Sequence, residues 1–268
     1  MQKLGLEAFK LFANYKMALF FIFSMFLGGA LQLTNAYGDV FLDEFKHFPK
    51  YAESFVVKYS TIIMSISQVS ETLFILAIPY FLKRFGIKRV MVIAMLAWVF
   101  RFGLFAYGDP AANLWMIVFS CIVYGMAFDF FNISGSLFVE TSTTAKTRSS
   151  AQGLFMMMTN GFGAIFGSLV SGWMIDKYFT KTFTTVTETA NFVDATPTNP
   201  HLLDFINSQG VKVLDNGLFD KAIYMKDWHS IWLSFTIYAL IITVLFMILF
   251  KHKHNRAEVE AIEAISNH

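Results

Sequence analysis

Long apolar runs separated by polar segments recur six times along the chain: Met17 to Gly38, Ser60 to Leu82, Val90 to Tyr107, Ala112 to Phe138, Gln152 to Met174 and Ile231 to Phe250. Each is long enough to cross a hydrocarbon layer as a helix. Within them apolar residues are nearly continuous and do not alternate, so helices are predicted and barrel strands are not. Pro79 and the glycines of the fifth run fit this, because membrane helices tolerate them where they pack on neighbours. The expected fold is an all-α membrane protein with a six-helix transmembrane bundle over residues 17–250. Ahead of it, residues 1–16 set Leu4, Leu6, Phe9, Leu11 and Phe12 among Lys3, Glu7, Lys10 and Lys16, the pattern of an amphipathic interfacial helix or linker. Residues 251–268 read as a polar tail. Residues 177–229, rich in Thr, Asn and Asp and containing Pro197 and Pro200, are too polar to span. That stretch is expected to be an extramembrane loop, either partly disordered or folded as a small cap.

Composition agrees, with 56% hydrophobic and only 15% charged residues, where a soluble domain carries about a quarter charged. The net charge of +2 forms no basic patch, which leaves no case for nucleic acid. Cys121 is the single cysteine and lies in an apolar run, so disulfide, metal and redox motifs are absent and packing is its expected use. No cleavable signal peptide is read, because the first run is followed by Gln32 and Asn35 and not by a small-residue cleavage site. Basic residues decide orientation: Lys83, Arg84, Lys88 and Arg89 crowd one short loop around Gly86, and Lys146, Arg148, Lys251, Lys253 and Arg256 fall on the same side. By the positive-inside rule both termini are expected in the cytoplasm, with the 83–89 loop as a topology anchor.

The polar residues within the runs carry the chemistry. Glu71 sits at the middle of its run, where a carboxylate is costly and normally faces a polar cavity or a partner. Gln68 precedes it by three residues and so shares its helix face, and Gln32 and Asn35 repeat that spacing in the first run. Four hydrogen-bonding side chains on two neighbouring helices predict a ligand site; mutual interhelical bonding is the plainer reading. In the fourth run Tyr124 and Phe128 are one turn apart, an aromatic face suited to a planar ring or simply to packing. Asp129 is the other acidic residue within the spans and Arg101 the one basic residue, and an ion pair of Arg101 with Asp129 or Glu71 is a structural expectation. Gly163, Gly167 and Ser171 recur every four residues and predict a close helix contact, with Asn160 on nearly the same face. No Walker loop, zinc motif, nucleophile elbow or dinucleotide fingerprint is present, which argues against an enzyme, a cofactor and ATP-driven transport.

The segments SQVSETLFILAIPYFLKRFGIKRV, AWVFRFGLFAYGDP, VYGMAFDFFNISGSLFVE and AQGLFMMMTNGFG closely resemble the nucleoside:H+ symporter family of the major facilitator superfamily, and the resemblance runs from about Leu4 through the last helix. It implies one six-helix half, the second, of a twelve-helix transporter in a bacterial inner membrane. It also implies nucleosides as substrates, a proton as the coupling ion and the 83–89 loop as a helix-joining gate. Carried over by motif, the substrate-binding positions are Gln32, Asn35, Gln68, Glu71, Tyr124 and Phe128. The amides and Glu71 are expected to bond ribose hydroxyls and base edges, the aromatics to pack on the base. Glu71 is the first proton-coupling candidate and Asp129 its rival. The first six-helix half is missing, so the chain is expected to be a truncated product or to need a separate N-terminal half, and to be poorly stable alone. A non-transporting fragment or assembly partner, or a transporter of another hydroxylated solute such as a sugar, are the alternative readings. The segment between the last two helices is longer than the family pattern.

Overall fold

In the computed structural model, which describes residues 6–48, 50, 51 and 53–252, the chain runs through α1 (Tyr15–Glu44), α2 (Ser60–Phe85), α3 (Ile87–Tyr107), α4 (Leu114–Ser142) and α5 (Arg148–Phe179). Then follow β1 (Thr180–Thr185), α6 (Val186–Phe192), α7 (Pro200–Ser208), β2 (Leu218–Lys226) and α8 (Trp228–Leu249). Helices α1 to α5 and α8 are each long and apolar enough to cross a membrane, and they are the six that the hydrophobic runs predict.

Their ends are set by local chemistry that hydropathy does not register. Asn14 caps α1, its side-chain oxygen accepting the Lys16 and Met17 amides at 3.0 and 3.4 Å. At its other end α1 continues past Gly38 to Glu44, because Phe41 and Leu42 are still buried, Phe41 edge-on to Phe105, Trp228 and Trp232. Helix α4 starts at Leu114, two residues after the apolar run, since Asp109 Oδ1 holds the Ala111 and Ala112 amides in a turn at 2.7 and 2.8 Å. Between α2 and α3 stands only Gly86, with φ of 76°, a conformation that makes glycine the fitting residue there. Four basic residues, Lys83, Arg84, Lys88 and Arg89, flank that reversal.

Helix α2 packs on α4, α4 on α3, α3 on α8, and α1 is held by α5 and α8. The α1/α5 crossing is closest: a Cβ on Gly28 would stand 2.0 Å from the Thr159 carbonyl oxygen, and one on Gly167 would stand 2.8 Å from Gly29 Cα. The Gly163, Gly167 and Ser171 stripe therefore faces α1 as its spacing predicts, and Ser171 donates to the Tyr37 hydroxyl at 3.4 Å. Two stretches of α5, Met157–Gly163 and Ile175–Phe179, are wound as π-helix. The core is dominated by aromatic rings, among them Phe20, Phe102, Phe105, Phe130, Phe138, Trp98 and Trp232, and Cys121 is buried with them.

Residues 180–226 fold as a cap with a core of its own. Strands β1 and β2 pair antiparallel, Thr180 opposite Lys226 and Phe183 opposite Ile223, with α6 and α7 packed over them. Phe183, Leu202, Phe205, Ile206, Phe219 and Ile223 are buried there, joined by Phe48 from the segment after α1. The segment is folded, with two paired strands and two helices. It is tied to the bundle by Lys226 paired to Glu44, by Trp228 Nε1 donating to Glu44 at 2.8 Å and by Lys50 bridging to Asp194 at 3.2 Å. At the other end, Leu6–Ala13 forms a 3₁₀ helix that turns Leu11 and Phe12 toward the bundle and leaves Phe9 and Lys10 exposed. The remainder of the predicted 1–16 and 251–268 segments, residues 1–5 and 253–268, lies outside the described residues.

Candidate functional site

Helices α1 and α2 touch at few points, and the gap between them opens as a cleft of about 360 Å3 whose other walls are α3 and α4. That volume falls in the range of small-molecule sites. Asn35 comes from α1, Gln68 and Glu71 from α2, Arg101 from α3 and Tyr124 from α4, with Thr34, Asp39, Thr61, Met64, Ser65 and Ser67 completing the lining. The three-residue spacing of Gln68 and Glu71 puts both on the cleft side of α2, as expected of one helix face.

A close helix contact positions Glu71. A Cβ on Gly125 would stand 2.6 Å from the Glu71 amide nitrogen and 2.5 Å from the Ser70 carbonyl carbon, so α2 and α4 approach backbone to backbone there. Ser70 adds a hydrogen bond from its hydroxyl to the Ile122 carbonyl. Tyr124, the residue before Gly125, is thereby fixed opposite Glu71. Its ring is parallel to that of Phe128, 3° between planes and 5.9 Å between centroids, and edge-on to Trp98 at 5.7 Å. The Arg101 guanidinium carbon lies 4.6 Å from the centroid of the Tyr124 ring, and 5.0 Å from that of Phe105.

Not every candidate enters the cleft. Phe128 extends the aromatic stack but lines a narrow neighbouring crevice with Asn132, Asn160 and Leu31. Gln32 is half-buried about one turn from Asn35 and does not line the cleft. Asp129 is buried, its Oδ2 has no hydrogen-bond partner among the described residues, and it lies within electrostatic reach of Glu71. The expected ion pair of Arg101 with Asp129 or Glu71 is not formed. Arg101 Nη1 donates instead to the Ser120 carbonyl at 2.6 Å, and Ser120 Oγ returns a bond to the Arg101 carbonyl at 3.1 Å. Ser120 lies nine residues before Asp129 on α4, roughly 13 Å of helix rise, which takes the guanidinium away from that carboxyl. Among the described residues no His, Cys, Asp or Glu cluster could hold a metal ion.

Sequence reasoning passed over Thr34, Asp39, Thr61, Ser65, Ser67 and Gly125. Small hydroxyl residues and glycines are common in membrane helices and serve packing there, so nothing in their type marks them, and Asp39 falls one residue past the first apolar run, in the part of α1 that hydropathy does not register. Adjacency was the available signal, since Thr34 precedes Asn35, Ser67 precedes Gln68 and Gly125 follows Tyr124.

Comparison with known proteins accords with this architecture. Residues 1–198 match the family model described as Nucleoside H+ symporter. The chain is 47% identical over 254 residues to the nucleoside permease NupG of Escherichia coli (strain K12), covering 94% of this chain and 51% of that protein. It is 46% identical over 259 residues to the xanthosine permease of the same organism, covering 96% and 52%. A crystal structure of the nucleoside transporter NupG superposes with a TM-score of 0.71 at 47% identity, over 93% of this chain and 52% of that one. The chain thus spans about half the length of the curated relatives it matches, and its six spanning helices form one half of a major facilitator fold. With a family model matched over most of its length and these identities over nearly all of it, the chain belongs to the nucleoside H+ symporter family.

Proposed function

We propose that this chain supplies one wall of the nucleoside site of a proton-coupled transporter in a bacterial inner membrane, as the C-terminal six-helix half that works against an N-terminal half. The observation that carries this reading is the single cleft in which Asn35, Gln68 and Glu71 face the Tyr124 ring. Amides and a carboxyl suit ribose hydroxyls and base edges, and a flat aromatic suits a base plane. Gln32 and Phe128, just outside that lining, are proposed to complete the contact surface when the halves close. Family relatives named as nucleoside and xanthosine permeases support the substrate class.

A partner half is supported by what the cleft leaves open. Asn35, Asp39, Thr61, Ser65, Gln68 and Thr72 are exposed at or beside it, and α2 is the least buried of the spanning helices. Lipid satisfies no polar group, so such a face calls for a second protein surface or a watery path between two bundles. Glu71 and Asp129 form no ion pair among the described residues, which leaves either free to take up and release a proton. The basic loops 83–89 and 146–148 favour both termini on the cytoplasmic side.

The test is binding of labelled uridine to the chain in lipid nanodiscs, alone and coexpressed with a complementary six-helix half, with other nucleosides and sugars as competitors. Saturable binding displaced by nucleosides and not by sugars is expected. Displacement by sugars would point to another hydroxylated solute, and no binding in either form to a non-transporting fragment, the second reading favoured by the half-length match.

A further inference from the structure

We infer that Thr34, Ser67 and Arg101 form an inner set of ligand contacts in the cleft, a donor-rich pocket that takes an oxygen acceptor of the substrate; this rests on the nucleoside reading above. All three line the cleft and are buried, Arg101 at 0% exposure, Thr34 at 3% and Ser67 at 5%. Among the described residues, Thr34 Oγ1, Ser67 Oγ and the Arg101 Nε and Nη2 atoms have no hydrogen-bond partner. Buried polar atoms are paired in the great majority of cases, so several unpaired ones among the residues lining one cavity mark a place where a ligand or ordered water completes the bonding.

Arg101 carries most of the argument. Its contacts clip α3 to α4 through Ser120, which takes Nη1, and set the guanidinium beside the Tyr124 and Phe105 rings and the Cys121 thiol. Nε and Nη2 keep an edge without a hydrogen-bond partner among the described residues. That edge presents two parallel N–H groups, the arrangement that grips paired oxygens. Arg101 is also the one cationic residue in the cleft lining, beside the acids Asp39 and Glu71. A guanidinium donates and never accepts, so the group it takes is an oxygen: the vicinal hydroxyls of a ribose or a ring carbonyl of a base.

Four probes separate these sources when titrated against the reconstituted chain: uridine, 2′,3′-dideoxyuridine, inosine and adenosine. Arg101→Met is expected to weaken binding of the probes that keep the recognised oxygen by roughly 10- to 100-fold, the worth of a charged hydrogen bond. The probe lacking that oxygen is expected to bind as before. Sparing of dideoxyuridine alone assigns the contact to ribose, and sparing of adenosine alone assigns it to the base. Equal loss on all four probes, or loss on none, overturns the inference, since support of Tyr124 would act on every probe alike. Ser67→Ala and Thr34→Val leave the α3–α4 clip intact and are expected to lose roughly 2- to 10-fold with the same selectivity. If both bind all four probes like the unsubstituted chain, the inference falls whatever Arg101→Met does to folding. If the unsubstituted chain binds no probe, either alone or coexpressed with the complementary six-helix half, it falls together with the nucleoside reading.

Discussion

Gly125 lies against the backbone of Glu71: a Cβ at position 125 would be 2.6 Å from the Glu71 amide nitrogen. The contact sets how closely α2 and α4 cross, and with it the separation of Glu71 from Tyr124. Gly125→Ala should therefore push the helices apart. A cost of about 1–3 kcal/mol is expected for such overpacking, read as a lower midpoint in thermal unfolding of the reconstituted chain. Uridine affinity should fall as well, although Gly125 itself does not line the cleft.

Under the proposed function, Glu71 and Asp129 are the two candidates for proton coupling. Glu71→Gln keeps the hydrogen-bonding shape and removes the titrating carboxyl, as does Asp129→Asn. In a full-length transporter carrying this half, the coupling residue is the one whose amide variant still binds uridine but no longer accumulates it against a gradient when a proton gradient is imposed. Undiminished accumulation by Glu71→Gln would falsify its assignment as proton carrier and pass the role to Asp129.

Tyr124 lines the cleft and is braced by Phe128, Trp98 and Arg101. If base stacking is its task, Tyr124→Phe should retain uridine affinity to within about threefold, whereas Tyr124→Leu should lose roughly 3- to 12-fold, the worth of an aromatic pair. Calorimetric titration of the two variants separates a ring requirement from a hydroxyl requirement. Equal losses in both would assign the function to the hydroxyl.

The cap is tied to the α3–α4 turn through Asp109, which accepts a hydrogen bond from Tyr51 at 3.0 Å and lies 3.9 Å from Lys50. Burial by itself would raise the Asp109 pKa, but the amides of Ala112 and Ala111, the Tyr51 hydroxyl and the Lys50 charge together hold it below the usual carboxylate value. Lys50 is held above its ordinary value, chiefly by Asp194. A depressed carboxylate contributes stability above its unfolded pKa of about 4 and loses it as pH falls through the lower folded value; a raised lysine contributes below about 10 and loses it at higher pH. Docking of the cap should thus be tightest between those limits. Spin labels at Thr187 and Ala111 should report a broader distance distribution below about pH 4, and Asp109→Asn should show that breadth at neutral pH.

Much of this architecture is legible in the residues. Twenty-residue apolar runs leave a chain no option but to satisfy its backbone within helices, and Glu71 in mid-run announces a polar cavity because burying a charge in hydrocarbon is costly. The two pairs of polar residues at three-residue spacing are placed differently. Gln68 and Glu71 line the cleft together, whereas of Gln32 and Asn35 only Asn35 does. Spacing establishes that two residues share a face; which way that face points depends on the helix's rotation against its neighbours. The Arg101 ion pair failed for a related reason: opposite charges in three spans do not reveal their relative depth, and Ser120 stood where the guanidinium reached. The cap was undecided because its core joins Phe48 to Phe219 and Ile223, contacts between distant segments that no local pattern displays.

What the sequence alone determined is the class of structure, six spanning helices, a carboxyl and amides inside them, and a family resemblance carried by long motifs. These follow from the hydrophobic effect and backbone hydrogen bonding, which act locally and leave their period in the chain. Tertiary structure decided which polar groups share one space. Gly125 on Glu71 and Gly28 on Thr159 set helix separations to fractions of a side chain. Those separations placed Thr34 and Ser67, ordinary in sequence, in the lining of the cleft that Glu71 had marked, together with Arg101. Packing is a property of pairs of surfaces, and each surface here is only half written in its own helix.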